Sequence, residues 1–242
     1  MKLNELKDLY SVCIIRCDEI SSGTGFLIEH KGKLYVLTDY HVLYNDKGLL
    51  YHTDCTLSFT IQRESYNSMS MFRADLDNCP VLSNSDLDVA AIELTTVSSS
   101  VEIGNKQLSE LTPFSLSPVS IPDIWGHVTY LYGHPTSLNR DAPFDMKPFL
   151  TTGIISSYDD ETGMFITNIP AFYGNSGGPV LFKNEAGDMM VIGIVQKLIH
   201  FCLDWRNRYE REAIRNDWQN SGYSICLDVN KIISFLEANV TQ

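Results

Sequence analysis

Short apolar segments, each followed by turn residues, succeed one another along most of the chain. Their alternating or continuously apolar pattern predicts strands. In the first half we place these at Ser11–Asp18, Thr24–Glu29, Leu34–Thr38, Thr56–Arg63 and Val89–Leu94. In the second half they are His127–Tyr132, Gly153–Tyr158, Met164–Asn168, Pro179–Lys183, Met189–Gln196 and Tyr223–Val229. Many short strands at this spacing are typical of an all-β sandwich or barrel.

Helical periodicity occurs in three segments. Met1–Tyr10 has leucines three residues apart, and Asn230–Ala238 begins with a residue suited to an N-cap and places its apolar side chains on one side. Trp205–Trp218 carries aromatic and apolar residues at i, i+4 spacing. We therefore expect a short N-terminal helix, a C-terminal helix and a helical insertion near residues 203–219.

Composition and charge narrow the classes of function. The chain has 242 residues, of which 44% are hydrophobic and 20% charged, so a disordered or collagen-like protein is excluded. Its 30 acidic residues against 18 basic ones give a net charge of −12. Because such a surface repels phosphate groups and anionic lipid, we expect neither a nucleic-acid partner nor a membrane partner.

The start of the chain and the cysteines bear on its compartment. Residues Met1–Ile20 contain no long uncharged stretch of the kind that a secretory signal needs, so we expect a cytoplasmic protein. The six cysteines could form three disulfides, but reduced thiols are the expectation in the cytosol. Cys13 and Cys17, if on one strand, are about 13 Å apart, too far for a disulfide. No second Cys or His pair completes a zinc site, so no metal is expected.

The strongest local motif is Gly174–Val180, with the sequence GNSGGPV. Glycines before and after Ser176 allow a sharply turned backbone around an exposed hydroxyl. In such a turn the N–H groups of Gly174 and Ser176 can point together at a developing oxyanion. The alternative is a glycine-rich hairpin in which the serine is incidental.

A serine hydroxyl needs a base, and the base needs a carboxylate to orient it. His41 comes at the end of an apolar strand and supplies the base. Asp86 and Asp88, just before a strand that looks fully buried, offer the carboxylate. A single His or Asp is usually a surface or core residue, so the prediction depends on all three groups occurring in this order.

In these segments the chain resembles the trypsin/chymotrypsin-like serine peptidases, and their bacterial and cytosolic branch more than the digestive enzymes. The resemblance extends from about Tyr10 to Leu236. Its specific parts are Gly23–Ile28, Thr38–Val42, Asp88–Ile92 and Gly174–Val180.

The resemblance implies two six-stranded antiparallel β-barrels with the active site between them. Residues 1–111 would form the barrel that carries His41 and Asp88, and residues 112–242 the barrel that carries Ser176. His41 would be the general base, Asp88 (in preference to Asp86) its orienting carboxylate and Ser176 the nucleophile. The amides of Gly174 and Ser176 would form the oxyanion hole, and the reaction would need no metal or organic cofactor.

The resemblance also bears on substrate specificity. Pro170 and Ala171 would form the floor of the first specificity pocket, and neither is acidic, so we expect cleavage after a neutral or apolar residue. Part of the binding would occur by strand addition. The other expected substrate-contacting residues are Phe172, Tyr173, Ile194, Val195 and Gln196.

Of three alternative functions, one is disfavoured and two stay open. Gly174-x-Ser176-x-Gly178 also fits an α/β-hydrolase, but that fold needs its acid and histidine after the serine, and only His200 follows. A catalytically idle binding module on the peptidase fold and an acyl-transfer enzyme acting on non-peptide esters stay open.

Two departures from the digestive enzymes concern regulation. Asn175 stands where those enzymes have the acidic residue used in zymogen activation, so we expect no activation of that kind. The long segment Lys197–Gly222 is either a packed surface helix or a lid or docking arm for a regulatory protein. We expect limited, regulatory cleavage of protein substrates in the cytosol.

Overall fold

The computed structural model describes residues 12–17, 22–62, 67–94, 102–103, 111–139, 148–206 and 213–240. The predicted N-terminal helix at Met1–Tyr10 lies outside these residues. Two antiparallel β-sheets account for most of the described chain, and every predicted strand corresponds to one of their strands. The all-β, chymotrypsin-like fold class is therefore confirmed.

The first sheet contains eight strands in the order β6-β7-β3-β2-β1-β4-β5-β8. A single helical turn, α1 (Tyr40–Leu43), follows β3 directly. The strands are β1 (Val12–Arg16), β2 (Ser22–His30), β3 (Lys33–Thr38), β4 (Asp54–Gln62), β5 (Asn67–Asp75), β6 (Val81–Asn84), β7 (Val89–Glu93) and β8 (Glu102–Ile103).

This first sheet differs from the predicted six-stranded barrel. It has eight strands, and within the described ranges its edge strands β6 and β8 do not pair with each other, so it is a curled, open sheet. The sequence prediction missed β5, β6 and β8. Strands β6 and β8 are only four and two residues long, whereas β5 carries a Ser-Met-Ser-Met alternation that does indicate a strand.

The second sheet is the predicted closed barrel of six strands, in the order β10-β11-β14-β13-β12-β9. A 3₁₀ helix (Ile121–Ile124) precedes it, and a helical turn, α2 (Thr136–Asn139), follows its first strand. The strands are β9 (Val128–Gly133), β10 (Phe149–Asp159), β11 (Met164–Thr167), β12 (Pro179–Lys183), β13 (Met189–Arg206) and β14 (Ala213–Asp228).

The predicted helical insertion near residues 203–219 is wrong. Strands β13 and β14 continue beyond the barrel as a long antiparallel hairpin, paired from Gly193 with Asp228 as far as Arg206 with Ala213. The i, i+4 spacing of aromatic residues suggested a helix, but aromatic residues also favour strands. Here the cross-strand pairing of two consecutive segments prevails over the local helical pattern.

The predicted C-terminal helix is confirmed as α3 (Val229–Asn239). Its N-cap is Asp228 rather than Asn230, and the Asp228 carboxylate accepts a 2.8 Å hydrogen bond from the Asn230 N–H. Ile232 and Leu236 are buried on its inner face. No helix in the described part of the chain combines the length and the apolar character needed to span a membrane.

One hydrophobic cluster joins the two sheets and α3. It contains Phe26 and Leu37 from the first sheet, Leu181 and Leu227 from the second, and Phe235 from the helix. Each sheet also has a cluster of its own. The shared cluster fixes how the sheets face each other and hence the geometry of the crevice between them. The domain boundary at 111/112 stays a prediction.

Candidate active site

His41 lies in α1, the single helical turn that follows β3. Its Nδ1 is 2.9 Å from Oδ2 and 3.0 Å from Oδ1 of Asp88, and its backbone N–H donates to the same Oδ1 at 3.0 Å. The carboxylate therefore holds both the ring and the main chain of the histidine. With a proton on Nδ1, Nε2 is left as the basic atom.

Asp88 is positioned by an uncommon backbone conformation. Its φ is 51°, in the left-handed region that Asp and Asn adopt more readily than most residues. The side-chain amide of Gln196 on β13 donates to the carbonyl oxygens of Leu87 at 2.6 Å and of Asp88 at 3.1 Å. The loop that carries Asp88 is thus anchored to the second barrel.

The carboxyl group of Asp88 is held in its charged form. Burial raises its pKa, but the hydrogen bonds and charge of His41 lower the pKa further than burial raises it, so the pKa lies below its usual value. Asp86, the alternative considered from the sequence, is exposed, and its N–H donates to the Asn84 side chain. The structure brings Asp88 and not Asp86 to His41.

A second carboxyl group, Asp39, lies fully buried immediately before α1. Burial raises its pKa well above the usual value, and the nearby charge of Asp88 raises it further. The two neighbouring carboxyl groups are therefore pushed toward opposite protonation states, with Asp39 favouring the neutral acid and Asp88 the carboxylate.

The loop before Ser176 makes a tight turn. The N–H of Asn175 donates to the carbonyl oxygen of Phe172 at 3.0 Å, and Gly174 has a φ of 96°. A positive φ at the third residue of a hydrogen-bonded turn is the mark of a type II turn, which requires glycine there. A Cβ on Gly174 would also collide with the His134 carbonyl oxygen and lie 2.6 Å from the Thr136 nitrogen.

Ser176 and His41 line the same cleft, which has a volume of about 710 Å³. The Ser176 hydroxyl donates to the carbonyl oxygen of Gln196 at 3.3 Å. Gly174 lies in the wall of the cleft as well. The sequence-predicted base, nucleophile and oxyanion-hole residues therefore meet at one opening between the two sheets.

Thr24 on β2 ties this loop to the first sheet. Its hydroxyl donates to the Gly174 carbonyl oxygen at 2.6 Å and accepts from the His134 N–H at 2.9 Å. Its backbone N–H donates to the Ser176 carbonyl oxygen at 2.8 Å. Thr24 is fully buried, so these bonds are shielded from water. They fix the carbonyl groups on both sides of the predicted oxyanion hole.

The predicted substrate-contacting residues divide into two groups. Ala171, Phe172, Tyr173, Val195 and Gln196 line the cleft. Pro170, which is half-buried, is not among the residues that line it, and Ile194 is fully buried in the shared hydrophobic cluster.

Sequence reasoning missed several residues of the site. Thr24 lies within the Gly-Thr-Gly segment that the sequence singled out, but nothing in that pattern showed that its hydroxyl faces the nucleophile loop. Three residues of β13 that line the cleft were assigned to the long insertion: Lys197, Leu198 and His200. Tyr51 and Thr136 also line the cleft, and no motif in the sequence singled them out.

The six cysteines, all of them among the described residues, form no disulfide bond. In the same part of the chain no group of three or more His, Cys, Asp or Glu side chains has an arrangement that could hold a metal ion. The functional groups at the site are a hydroxyl, an imidazole, a carboxylate and backbone amides.

Comparison with known proteins places the chain in a family. The family model described as a trypsin-like peptidase domain matches residues 23–194, which is more than half of the chain. The chain belongs to the trypsin-like peptidase family. The matched residues include His41, Asp88 and Ser176. No curated protein matches the chain.

Solved structures show the same fold at low sequence identity. The crystal structure of Deg5 is 18% identical with a TM-score of 0.57, and covers 96% of this chain and 90% of its own. The HtrA-type protease AlgW with tripeptide is 17% identical with a TM-score of 0.57, over 97% of this chain and 62% of its own. The thermostable serine protease AL20 from an extremophilic microorganism is 13% identical with a TM-score of 0.61, over 98% of this chain and 100% of its own. This trypsin-like peptidase therefore has the fold of serine proteases.

Proposed function

We propose that the protein is a serine endopeptidase that hydrolyses peptide bonds through Ser176, His41 and Asp88. The observation that supports this most directly is the two-point contact of Asp88 with His41 in the cleft that also contains the Ser176 hydroxyl. A serine protease fold alone does not require that arrangement, whereas a base oriented by a carboxylate beside a serine is what acyl transfer needs.

In the proposed reaction, the Ser176 Oγ attacks the carbonyl carbon of the substrate while its proton passes to Nε2 of His41. The tetrahedral intermediate places its negative oxygen against the N–H groups of Gly174 and Ser176. His41 then gives the proton to the leaving amine as the C–N bond breaks, which leaves an acyl ester on Ser176. Water, deprotonated by His41, attacks this ester, and the proton returns to Ser176 with release of the acid.

The residues around Ser176 have defined roles in these reaction steps. Asp88 keeps His41 in the tautomer with a free Nε2 and stabilises the imidazolium that forms after proton transfer. The Ser176 hydroxyl donates to the carbonyl oxygen of Gln196. Rotation about the Cα–Cβ bond of Ser176 would turn the hydroxyl from Gln196 toward His41 when a substrate carbonyl arrives.

We propose a neutral or apolar residue on the N-terminal side of the cleaved bond. The cleft wall contains Ala171, Phe172 and Leu198, whose side chains suit an apolar group. The charged side chain that lines it, Lys197, is positive and would repel a Lys or Arg of the substrate. We also propose regulatory proteolysis in the cytosol, with the six cysteines free of disulfide bonds as support.

The proposed function is tested by the turnover of an unfolded protein. Wild type is expected to convert reduced, carboxymethylated lactalbumin into peptides, and Ser176→Ala is expected to lose nearly all of this activity while its circular dichroism and thermal melting stay unchanged. Ser157→Ala, a change at an exposed serine of β10, serves as the matched control and should remain active. Equal activity of Ser176→Ala and wild type would overturn the proposal.

A catalytically idle binding module is the second candidate. The observation that favours it is the Ser176 hydrogen bond to Gln196, which directs the hydroxyl proton to a carbonyl oxygen rather than to a base. An idle module would bind the unfolded lactalbumin without cutting it, and wild type and Ser176→Ala would then give the same intact protein.

A further inference from the structure

Two cysteines of the first sheet lie opposite each other on neighbouring strands. Strands β1 and β4 pair antiparallel, and at the end of β1 Arg16 is the partner of Thr56. One further step of this register places Cys17 opposite Cys55. Directly opposed residues of an antiparallel pair have Cα atoms about 4.5–5.5 Å apart, which is within the range of about 4.4–6.8 Å found in disulfides.

The burial pattern of the two segments supports this register. Every second residue of each segment packs into the hydrophobic cluster that belongs to the first sheet alone. On β1 and its continuation these residues are Cys13, Ile15 and Cys17, and on β4 they are Cys55, Leu57 and Phe59. Since side chains alternate along a strand, the Cys17 and Cys55 side chains point to the same side of the sheet. Both cysteines are buried.

The two thiols form a chain of hydrogen bonds that ends at the active site. The Cys17 thiol donates to the Val42 carbonyl oxygen, with Sγ 3.6 Å from the oxygen. Cys55 is hydrogen-bonded to Cys17, and because a thiol has a single proton, Cys55 is the donor in this second bond. Val42 follows His41 in α1. A change at the Cys17 sulfur can therefore affect the turn that carries the proposed general base.

We propose that Cys17 and Cys55 form a reversible disulfide when the protein meets a hydroperoxide, and that this cross-link lowers the turnover of the enzyme. The effect on turnover rests on the proposed endopeptidase function and adds a mode of regulation to it. Once the Cys17 sulfur is bonded to Cys55, it has no proton for the Val42 carbonyl, so α1 loses this contact with β1. Disulfides of cytosolic proteins are typically transient and catalytic or redox-sensing, which agrees with the proposed location.

The oxidation takes place in two balanced steps. The Cys17 sulfur bonds to the terminal oxygen of the hydroperoxide as the O–O bond breaks, and the Cys17 proton goes to the departing alkoxide, which leaves as an alcohol. The Cys55 sulfur then attacks the sulfenic acid on Cys17, the S–O bond breaks, and the hydroxyl leaves as water with the Cys55 proton. The two thiols lose two electrons, and the hydroperoxide gains them.

The environment of Cys55 sets the pace of the second step. Its hydrogen bond with Cys17 and its burial raise the pKa of Cys55 well above the usual value, so its reactive thiolate form is scarce at neutral pH. We therefore expect the cross-link to form over minutes to hours, within the range of uncatalysed disulfide formation.

Two further cysteines lie in the same cluster, and neither is as well placed. Cys13 is opposite Phe59 on β4. Cys79 is near enough for its charge to raise the pKa of Cys55, but the hydrogen bond of Cys55 is with Cys17. Pairing of Cys55 with Cys79 is therefore a different result, which a peptide map distinguishes.

Peptide mapping of the oxidised protein tests the cross-link independently of activity. Cys202, the exposed cysteine, is replaced by serine in every protein to prevent disulfides between molecules. After treatment with hydrogen peroxide, the remaining thiols are alkylated and the protein is digested without reductant. We expect a linked Cys17–Cys55 peptide and a melting temperature raised by about 5 °C or more. Absence of this peptide, or a Cys55–Cys79 peptide in its place, would overturn the proposal.

Turnover of unfolded lactalbumin by the same samples tests the regulatory effect. The cross-linked enzyme should have a kcat about fivefold below that of the reduced enzyme, the effect of one lost hydrogen bond, and dithiothreitol should restore it. Cys55→Ala keeps the Cys17 donor and all the methionines, so it is the matched control, and peroxide should leave its kcat within about twofold. Equal kcat of the cross-linked and reduced enzymes would contradict the effect on α1.

Cys17→Ala separates the thiol proton from the cross-link. Without any oxidant this variant should have the lower kcat of the cross-linked enzyme, because the donor to Val42 is absent. Cys17→Ser keeps a donor and should recover most of kcat. Full activity of Cys17→Ala would overturn the proposed mechanism of regulation. If either variant does not fold, oxidation of the protein with Cys17 and Cys55 intact decides.

Failure of this inference and failure of the proposed function give different results. A reduced protein that leaves lactalbumin uncut overturns the proposed function, and the regulation fails with it. A reduced protein that cleaves lactalbumin but yields no Cys17–Cys55 peptide after oxidation overturns this inference alone.

Discussion

The Thr24 hydroxyl donates a 2.6 Å hydrogen bond to the Gly174 carbonyl oxygen, and this contact joins the first sheet to the loop that precedes Ser176. The two residues are 150 positions apart in the chain. The same hydroxyl accepts from the His134 N–H at the end of β9. One buried threonine therefore connects three segments and sets the orientation of the peptide groups around the proposed oxyanion hole.

Thr24→Val should impair catalysis with little change in substrate binding. Loss of the hydroxyl leaves the Gly174 carbonyl and the His134 N–H without this partner and frees the turn to shift. We expect kcat to fall roughly tenfold to a hundredfold, as expected when an oxyanion-hole donor is misplaced, while KM changes less than threefold. Thr24→Ser should recover most of kcat.

The matched control for Thr24 is Thr129→Val. Thr129 is also fully buried and its hydroxyl also donates to a backbone carbonyl, that of Gly153 at 3.2 Å, but it lies outside the residues that line the cleft. Steady-state kinetics of the three variants separates positioning from stability. A loss of kcat in Thr129→Val equal to that in Thr24→Val would contradict a specific role for Thr24.

Asp88→Asn should nearly abolish turnover without disturbing the backbone. Asn tolerates the positive φ of 51° at this position, so the change removes the charge and leaves the loop intact. An amide favours the wrong tautomer of His41, and the expected loss of kcat is about 10⁴-fold. The measurement is kcat at saturating substrate together with the thermal melting temperature.

Asp86→Asn is the matched control for this change, because Asp86 is exposed two residues earlier and does not contact His41. It should retain kcat within about twofold. Comparable losses in both variants would refute the assignment of Asp88 and point to a general effect of charge in the loop.

The cleavage preference of the enzyme follows from the lining of the cleft. A peptide library with all residues at the position before the cut should give products that end mainly in Ala, Val, Leu or another uncharged residue. The reason is the apolar wall near Ala171 and the positive charge of Lys197. Mass spectrometry of the products gives the preference directly, and products that end mainly in Lys or Arg would be inconsistent with this interpretation.

The stability of the protein should depend on pH through His134. Burial lowers the pKa of this histidine to about 3, while an unfolded histidine has a pKa of about 6.5. Between these values the unfolded state binds a proton that the folded state does not. This contribution to stability is therefore complete above about pH 6.5 and is lost as the pH falls toward 3, with a slope approaching about 1.4 kcal/mol per pH unit.

Urea unfolding at several pH values tests this dependence. In His134→Asn the contribution is absent, so the free energy of unfolding between pH 6 and pH 4 should fall less steeply than in wild type. The slope is the readout, since the substitution also changes stability at neutral pH and Asp39, whose pKa is raised, contributes with the opposite sign in both proteins. Equal slopes would show that His134 does not set the acid sensitivity.

The parts of the fold that the sequence predicted correctly are those with strong local patterns. The buried strand at Val89 and the α3 helix carry continuous or amphipathic apolar periodicity, and each was placed to within a few residues. The helix near 203–219 was wrong because the same residues satisfy a helical spacing and a strand pairing. Only the partner segment, β14, decides between the two.

The same difference applies to the candidate site: local sequence indicates some of its residues, and contacts with distant segments reveal the others. Ser176 and Gly174 belong to one motif whose glycines have a local reason, seen in the φ of 96° at Gly174. Thr24 and Leu198 take their roles from contacts with distant segments, and no periodicity within their own strands reveals these contacts. Long-range packing therefore supplies the positioning of the site, while local sequence supplies its chemistry.

Covalent capture of the nucleophile tests the central claim, that His41 and Asp88 activate Ser176. A fluorophosphonate is to be incubated with wild type, Ser176→Ala and His41→Ala, and the modified peptides mapped by mass spectrometry. We expect one phosphonyl group on Ser176 of wild type, none on Ser176→Ala, and labelling of His41→Ala slower by at least about a hundredfold. An unlabelled Ser176 in folded wild type, or labelling at the same rate without His41, would contradict the account.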